Sequence, residues 1–419
     1  MILNWLTIAF CTVFFVLSLK RVFSDSFSAL NLASIVFFVM QVVPIFVESF
    51  WGYDDFMFFL KNMYYASQDQ SVHYVYCIFV CVTMALFWVV GEYLCQKRVD
   101  LIDEECNHYQ ANIYLFFFLL LGILSPVIAL IGAPDPSIYL TFARFYKYTF
   151  NPFDASVLYY MVVIKHVVYF AFLSTILLYF FNDDKNKAYN FIVLIGVILI
   201  TWFEGKRSFL IFSLMAIIAV DIIRNRYVEQ RGKLIIKAAV FTFISVIFFV
   251  IYKEYTGKNV DTDFLSQYNQ YYSRMACVKT AIYSVLQGES VLQYPGQSFL
   301  YDVFFFVPRG FWPEKPAMFV KYFTAYAMNR KNLDFLSWNL ITNMWCEFIA
   351  NIGVIGYVLG VALTTLVAKI TDLTSNIFVR MWGMIFIALY FMFGFEYLVL
   401  IVYIAFIVSL VAQKVRERV

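Results

Sequence analysis

A proline-containing turn places two cations and a carboxylate among aromatic residues. The stretch 302 to 316 reads DVFFFVPRGFWPEKP and contains Arg309, Glu314 and Lys315. A guanidinium group binds phosphate oxygens through paired hydrogen bonds, and aromatic rings cover sugar or acyl surface. Together these residue types favour an anionic ligand that also carries an apolar or sugar part.

A second group of cations lies in the short stretch 202 to 208, WFEGKRS, where Lys206 and Arg207 precede an apolar run that begins near Ser208. The amides at a helix N-terminus and the positive end of its dipole favour a phosphate group. Two cations at such a helix end would suit a diphosphate. The alternative is that both residues cap the helix and contact lipid headgroups.

Glu347 is the preferred candidate for a general base or for a group that holds an acceptor hydroxyl. It lies in the sequence Trp-Cys-Glu-Phe, where a long polar interval returns to an apolar run. The alternative is a carboxylate that pairs with an arginine and holds the loop. Other carboxylates, which the sequence does not rank, are Asp302, Glu204 and the pair Asp54 and Asp55.

Further candidate ligands for an anionic substrate are Arg274, Lys315, Lys165 and His166. The last two lie inside an apolar run, where an uncompensated Lys costs roughly 2.5 to 3.5 kcal/mol on insertion scales. Lys165 therefore either extends toward the headgroups or lines a polar cavity together with His166.

Composition identifies the class of protein. Of the 419 residues, 63% are hydrophobic and 14% are charged, with 49 Phe and 31 Tyr. So few charges cannot cover a soluble domain of this length, so we predict an all-α polytopic membrane protein. A net charge of +3 gives no indication of nucleic acid as a partner. The seven Cys lack a Cys-x-x-Cys pair, and we expect neither a metal nor a cofactor.

Apolar runs near the ~20 residues needed to cross a bilayer predict about eleven spans. They are 2 to 19, 29 to 50, 73 to 95, 112 to 132, 157 to 181, 188 to 203, 209 to 223, 234 to 252, 348 to 368, 377 to 394 and 397 to 412. Lys and Arg cluster in alternate connections, which are therefore expected in the cytoplasm. We predict one membrane domain, 1 to 419, with a large external loop at 253 to 338. Amphipathic helices are expected in this loop at 264 to 286, on the membrane surface, and at about 316 to 328.

Taken together, the Gly-Lys-Arg-Ser turn, the loop containing Val-Pro-Arg-Gly-Phe-Trp-Pro-Glu-Lys-Pro and the stretch from Trp345 to Gly356 resemble the Wzy-type O-antigen or oligosaccharide repeat-unit polymerases. The motif resemblance covers roughly residues 200 to 360. It implies a GT-C-like polymerase or ligase architecture in the bacterial inner membrane, with the active site facing the periplasm.

The resemblance also implies the chemistry. Such enzymes join undecaprenyl-diphosphate-linked oligosaccharides, without a metal and with inversion at the sugar carbon. Arg207 and Arg309 would then neutralise the diphosphate together with Lys206, and Glu347 would act on the acceptor hydroxyl. Expected partners are the lipid-linked donor and acceptor, membrane lipids and a Wzz-type chain-length regulator.

Two other functions fit the same sequence. An O-antigen ligase would differ in its acceptor, which no residue here identifies. A lipid-linked oligosaccharide flippase would also use cations within the membrane, although the long external loop and the lack of a visible repeat favour the enzyme. The sequence does not indicate which sugars are joined, how chain length is set or whether the protein oligomerises.

Overall fold

The structure is a computed structural model. It describes residues 2 to 403, apart from 23, 25, 52 to 59, 95, 98 to 112, 141 to 154, 183 to 186, 206, 225 to 230, 257 to 273, 331, 334 to 338, 375 to 376, 392 to 393, 396 to 398 and 400 to 401. The chain divides into two compact units. Unit 1 comprises Met1–Lys97 and Thr262–Val419, and unit 2 comprises Arg98–Asp261. The predicted loop interval 253 to 338 thus begins in unit 2 and continues in unit 1.

The described residues of unit 1 form helices and one short antiparallel pairing between β1 (Ser26–Phe27) and β2 (Gln96–Lys97). Its first helices are α1 (Ile2–Val22), α2 (Ala29–Phe37), a π-helical segment (Phe38–Val42), α3 (Val43–Trp51), α4 (Lys61–Gln68) and α5 (Gln70–Leu94).

In unit 2 the helices are α6 (Ile113–Ala129), a 3-10 segment (Leu130–Gly132), α7 (Pro136–Leu140), α8 (Ala155–Tyr159), a π-helical segment (Tyr160–Ile164), α9 (Lys165–Phe181), α10 (Lys187–Glu204), α11 (Arg207–Ile223) and α12 (Arg231–Thr256).

The chain then returns to unit 1 with α13 (Met275–Leu286), α14 (Gln297–Val303), α15 (Phe319–Ala327), α16 (Met344–Leu373) and α17 (Ile377–Tyr390). Helix α15 lies within the predicted interval 316 to 328.

Six helices of the described residues are long and apolar enough to cross a membrane. They are Ile2–Val22, Ala29–Phe50, Gln70–Leu94, Ile113–Gly132, Lys187–Glu204 and Met344–Leu373. An all-helical fold with several such helices is consistent with a polytopic membrane protein, as the composition predicted. Helices also lie at the predicted spans 157 to 181, 209 to 223, 234 to 252 and 377 to 394. The predicted span 397 to 412 lies almost entirely outside the described residues.

Helix α2 begins at a cap supplied from both nearby and distant sequence. Ser28 and Asn31 form a capping box, in which the Asn31 side chain accepts from the Ser28 amide at 2.8 Å. The Asp372 carboxylate, near the end of α16, accepts from the Ser28 hydroxyl at 2.8 Å and from the Ala29 amide at 3.0 Å. These hydrogen bonds join the start of α2 to the end of α16, although the bonded residues are more than three hundred positions apart in sequence.

Helix α13 is an interior helix, contrary to the expectation of an amphipathic helix on the membrane surface. Residues 264 to 273 lie outside the described part, but Met275 to Ile282 are all buried, and α13 packs against α4, α5 and α16. Its charged residue does not face water either, because the fully buried Lys279 ammonium lies 3.0 Å from the Glu48 carboxylate on α3. Sequence periodicity cannot distinguish a helix on the membrane surface from a helix in the protein interior when the cation of the interior helix has a buried counter-ion.

A cysteine at Arg330 tests the predicted topology, because this position is exposed just beyond α15. We expect an R330C variant to react with a membrane-impermeant maleimide in intact spheroplasts, after subtraction of the labelling of native cysteines in the unsubstituted chain. The control is Lys233→Cys, exposed on α12 and predicted to be cytoplasmic, which should react only after lysis. Reaction of Arg330→Cys only after lysis would show that the predicted orientation is wrong.

Candidate functional site

Glu347 lies in the first turn of α16 and is almost completely buried. The helix begins there because Asn343 is its N-cap, with the side-chain oxygen accepting from the Cys346 amide at 2.8 Å. The Asn343 amide group also donates to the carbonyl oxygen of Phe391 at 3.3 Å, which ties this helix end to the segment after α17. Local capping thus fixes the position of the Glu347 carboxyl group.

Both oxygens of Glu347 accept hydrogen bonds. The Ser298 hydroxyl, on α14, donates to Oε1 at 2.6 Å, and the Phe395 amide donates to Oε2 at 3.0 Å. A buried carboxyl group needs such partners, because it has lost its hydrogen bonds to water. Three separate segments of unit 1 therefore converge on this one side chain.

Asp302 is the second carboxyl group of the site, and it is also buried. It lies four residues after Ser298, so both residues lie on one face of α14, and its carboxyl group lies beside that of Glu347. The structure thus brings together two buried carboxyl groups that the sequence could only propose separately.

Asn351 holds this arrangement from the other side. Its Nδ2 donates to the Ser298 hydroxyl oxygen and to the Glu347 carbonyl oxygen, both at 2.8 Å, and its Oδ1 accepts from the Gly296 amide at 3.1 Å. Neither Ser298 nor Asn351 was identified from the sequence. A polar Asn in the apolar run after Glu347 was the available signal.

The helical geometry of α16 breaks directly after Asn351. Ile352 and Gly353 leave helical geometry, and Gly353 has a φ of 62° and a ψ of −136°, a conformation that glycine adopts without strain. The chain turns so closely here that a Cβ added at Gly356 would lie 1.9 Å from the Phe348 carbonyl oxygen. The Glu347 turn is consequently a separate helical segment that precedes the longer apolar helix.

The cations predicted for unit 1 have different surroundings. Arg274 is buried at the N-terminal end of α13. Lys315 is buried as well, and its ammonium group donates to the carbonyl oxygens of Phe305 at 2.6 Å and Val307 at 3.0 Å. Burial, and then the nearby charge of Arg309, lower the pKa of Lys315. Lys315 thus serves the loop structure through at least two of its three donors.

Arg309 is exposed, and its guanidinium group makes long contacts to the carbonyl oxygens of Pro313 at 3.5 Å and Pro316 at 3.3 Å. An arginine has five N–H groups, so these two contacts do not occupy all of its donors. Of the unit 1 cations predicted to bind phosphate, Arg309 is the one best placed to meet a ligand from solvent or membrane.

Unit 2 contains the remaining predicted cations and His166. Helix α11 begins at Arg207, directly after the turn at Gly205 with its φ of 62°, as the sequence predicted. Lys206 and the Arg207 side chain lie outside the described part of the structure. Lys165 is half-buried at the start of α9, next to a π-helical segment, and His166 is exposed.

The other carboxylates differ from the Glu347 pair. Glu204 is buried at the end of α10, where its carbonyl oxygen accepts from the Tyr160 hydroxyl at 3.2 Å. Asp54 and Asp55 lie outside the described residues.

Ser298→Ala should destabilise unit 1, because it leaves a buried Glu347 oxygen without its hydroxyl donor. We expect a loss of about 1 to 3 kcal/mol, the usual cost of an unsatisfied buried polar group, and a lower thermal midpoint in detergent. The matched control is Ser284→Ala, since this buried hydroxyl donates only to the Ala281 carbonyl of its own helix at 2.8 Å. Equal midpoints for the two variants would contradict the proposed importance of the Ser298 bond.

Comparison with protein-family models, with curated proteins and with solved structures finds no match. The carboxyl pair and the exposed arginine are thus the features from which a function can be argued.

Proposed function

We propose that this protein is a membrane glycosyltransferase that polymerises lipid-linked oligosaccharide repeat units at the periplasmic face of the bacterial inner membrane. The observation that carries the proposal is the pair of buried carboxyl groups of Asp302 and Glu347, of which Glu347 accepts from Ser298, and Ser298 in turn from Asn351. A positioned carboxylate can remove the proton of an acceptor hydroxyl as a general base.

The proposed reaction forms one bond and breaks another at the sugar C1 of the donor. An acceptor hydroxyl oxygen attacks C1, the bond from C1 to the diphosphate oxygen breaks, and undecaprenyl diphosphate leaves with the electron pair. The hydroxyl proton passes to the carboxyl pair, with Glu347 as the accepting group. Attack from the face opposite the leaving group inverts the configuration at C1.

Arg309 supports the second requirement of the reaction, which is to neutralise charge on the departing diphosphate. A guanidinium group bound to backbone carbonyls keeps its full positive charge and can hold two phosphate oxygens. The start of helix α11 at Arg207 supports a similar role in unit 2, since N-terminal amides also favour phosphate. Lys206, Arg274 and Lys165 are proposed as further substrate contacts because of their positive charge, and His166 is proposed as a proton-transfer group.

The reaction can be measured with purified protein and a lipid-linked repeat unit, with product length determined on a gel. A ladder of products is expected for a polymerase. Transfer of one unit to a lipid A acceptor only would indicate a ligase. Movement of the intact donor across a vesicle membrane, with no new glycosidic bond, would indicate a flippase.

Glu347→Gln should slow turnover by about 10²-fold or more, the scale of a positioned general base, because the amide retains the shape but not the basicity. Donor binding should persist. The control is Glu289→Gln, an exposed carboxylate that accepts from the Tyr326 hydroxyl at 2.7 Å and has no proposed role in the reaction. If Glu347 has only a structural role, the Gln variant will instead lose thermal stability or donor affinity, and normal turnover will remove it from the mechanism.

Replacing Arg309 or Arg207 by Ala should abolish polymer formation while the protein still accumulates in the membrane. Lys should restore only part of the activity, because an ammonium lacks the paired donors of a guanidinium. Arg330→Ala, the loss of another exposed arginine, serves as the control and should leave polymer length unchanged. Polymer of normal length from both the Arg309 and Arg207 variants would contradict the roles proposed for these two arginines.

A further inference from the structure

The segment from residue 303 to 312, here called the aromatic loop, exposes several large apolar side chains. Phe304 is 42% exposed, Phe306 is 60% exposed and Phe311 is 87% exposed. Exposed aromatic side chains that lie close together in the chain mark a surface that contacts another molecule or a membrane. The loop joins α14 to the segment that leads to α15.

The buried side chain of Lys315 fixes the conformation of the aromatic loop. The buried Lys315 ammonium donates to the carbonyl oxygens of Phe305 and Val307, and it lies 4.9 Å from the centre of the Tyr301 ring. A buried ammonium group that donates hydrogen bonds to two backbone carbonyls stabilises one conformation of the loop. The exposed rings are therefore presented by an ordered structure.

The base of the aromatic loop contacts apolar segments of the chain. Tyr403, in the apolar run 397 to 412, donates its hydroxyl to the Val303 carbonyl at 3.1 Å, and its ring lies 5.8 Å from that of Phe306. One helical turn before Val303, the Phe299 ring packs 4.9 Å from Phe348 on α16, one of the six helices able to cross a membrane. The base of the loop thus packs against the predicted span 397 to 412 and against the short helical segment that precedes the long apolar part of α16.

The charged residues in and next to the aromatic loop indicate what the loop contacts. Arg309 is exposed between Phe306 and Phe311 in sequence, while the Glu314 carboxylate follows the loop. Exposed aromatic rings near an exposed arginine match the interface of a bilayer, where rings lie at the headgroup level and arginine meets lipid phosphates.

We infer that the aromatic loop lies in the interfacial region of an anionic phospholipid bilayer, with Phe306 and Phe311 below the headgroups and Arg309 at their phosphates. This places the loop in the membrane surface as an anchor of α14, the helix that carries Ser298 and Asp302. The inference does not depend on glycosyl transfer, since any membrane protein with this loop would make the same contacts.

Spin-label accessibility in vesicles tests the inference with the full chain. Nitroxide labels are attached at Phe306→Cys and Phe311→Cys, and the signal of labelled native cysteines in the unsubstituted chain is subtracted. The protein is reconstituted into phosphatidylethanolamine and phosphatidylglycerol. Collision rates with oxygen, which concentrates in lipid, and with a water-soluble nickel chelate are then compared. Arg330→Cys is the control, because that residue is exposed and polar at the end of α15.

The oxygen-to-nickel ratio at positions 306 and 311 should exceed that at position 330 several-fold. Replacing phosphatidylglycerol by phosphatidylcholine should reduce the ratio in the Arg309 chain but not in an Arg309→Gln chain. Equal ratios at all three positions would overturn the inference and show that the loop lies in water. Exclusion of both reagents at 306 and 311 would also overturn it, since it would show that protein, rather than lipid, covers the loop.

Discussion

A carboxyl group with no access to water sets the main constraint on unit 1. The effective cost of removing an ion from water is several kcal/mol, even after the protein has relaxed around it. Glu347 meets this cost with a hydroxyl from α14 and an amide from residue 395, while Asn351 keeps the hydroxyl in place. A displacement of α14 would therefore leave Oε1 of Glu347 without its hydroxyl donor, while Oε2 would keep the amide of Phe395.

The same reasoning applies to Lys279 and Glu48. The lysine is fully buried, and its pKa is lowered, chiefly by desolvation, with Glu48 opposing that change. Breaking a buried ion pair by removing one partner costs roughly 3 to 5 kcal/mol, much more than an exposed pair contributes. Helix α13, which belongs to the predicted external interval, is therefore fixed to the N-terminal helices and is part of their core.

Much of the helical architecture could be predicted, because apolar runs of bilayer length have few other stable structures. The helix starting at Arg207 was predictable from its glycine-containing turn. The contacts that build the site were not. Ser298 and Glu347 are 49 residues apart, and nothing local to either residue specifies the hydrogen bond between them. The hydrogen bonds of Lys315 were also hidden, because they depend on the direction of two backbone carbonyls.

The interior position of α13 shows a different limit. Its apolar spacing fits a helix on a membrane surface as well as one inside a bundle, and only the buried counter-ion of Lys279 decides between them. The predicted number of spans has the same ambiguity, since composition identifies apolar helices but does not show which of them cross the bilayer.

The cap of α2 by Asp372 has a consequence for biosynthesis. The ribosome synthesises α2 long before residue 372. The Ala29 amide at the start of this helix therefore lacks its carboxylate acceptor until the whole of unit 2 has been synthesised. Unit 1 is built from two separated stretches of chain, and it closes only after the second stretch has entered the membrane. Unit 2, a continuous stretch, can complete its fold during that interval, so translation order makes it the first of the two units to mature.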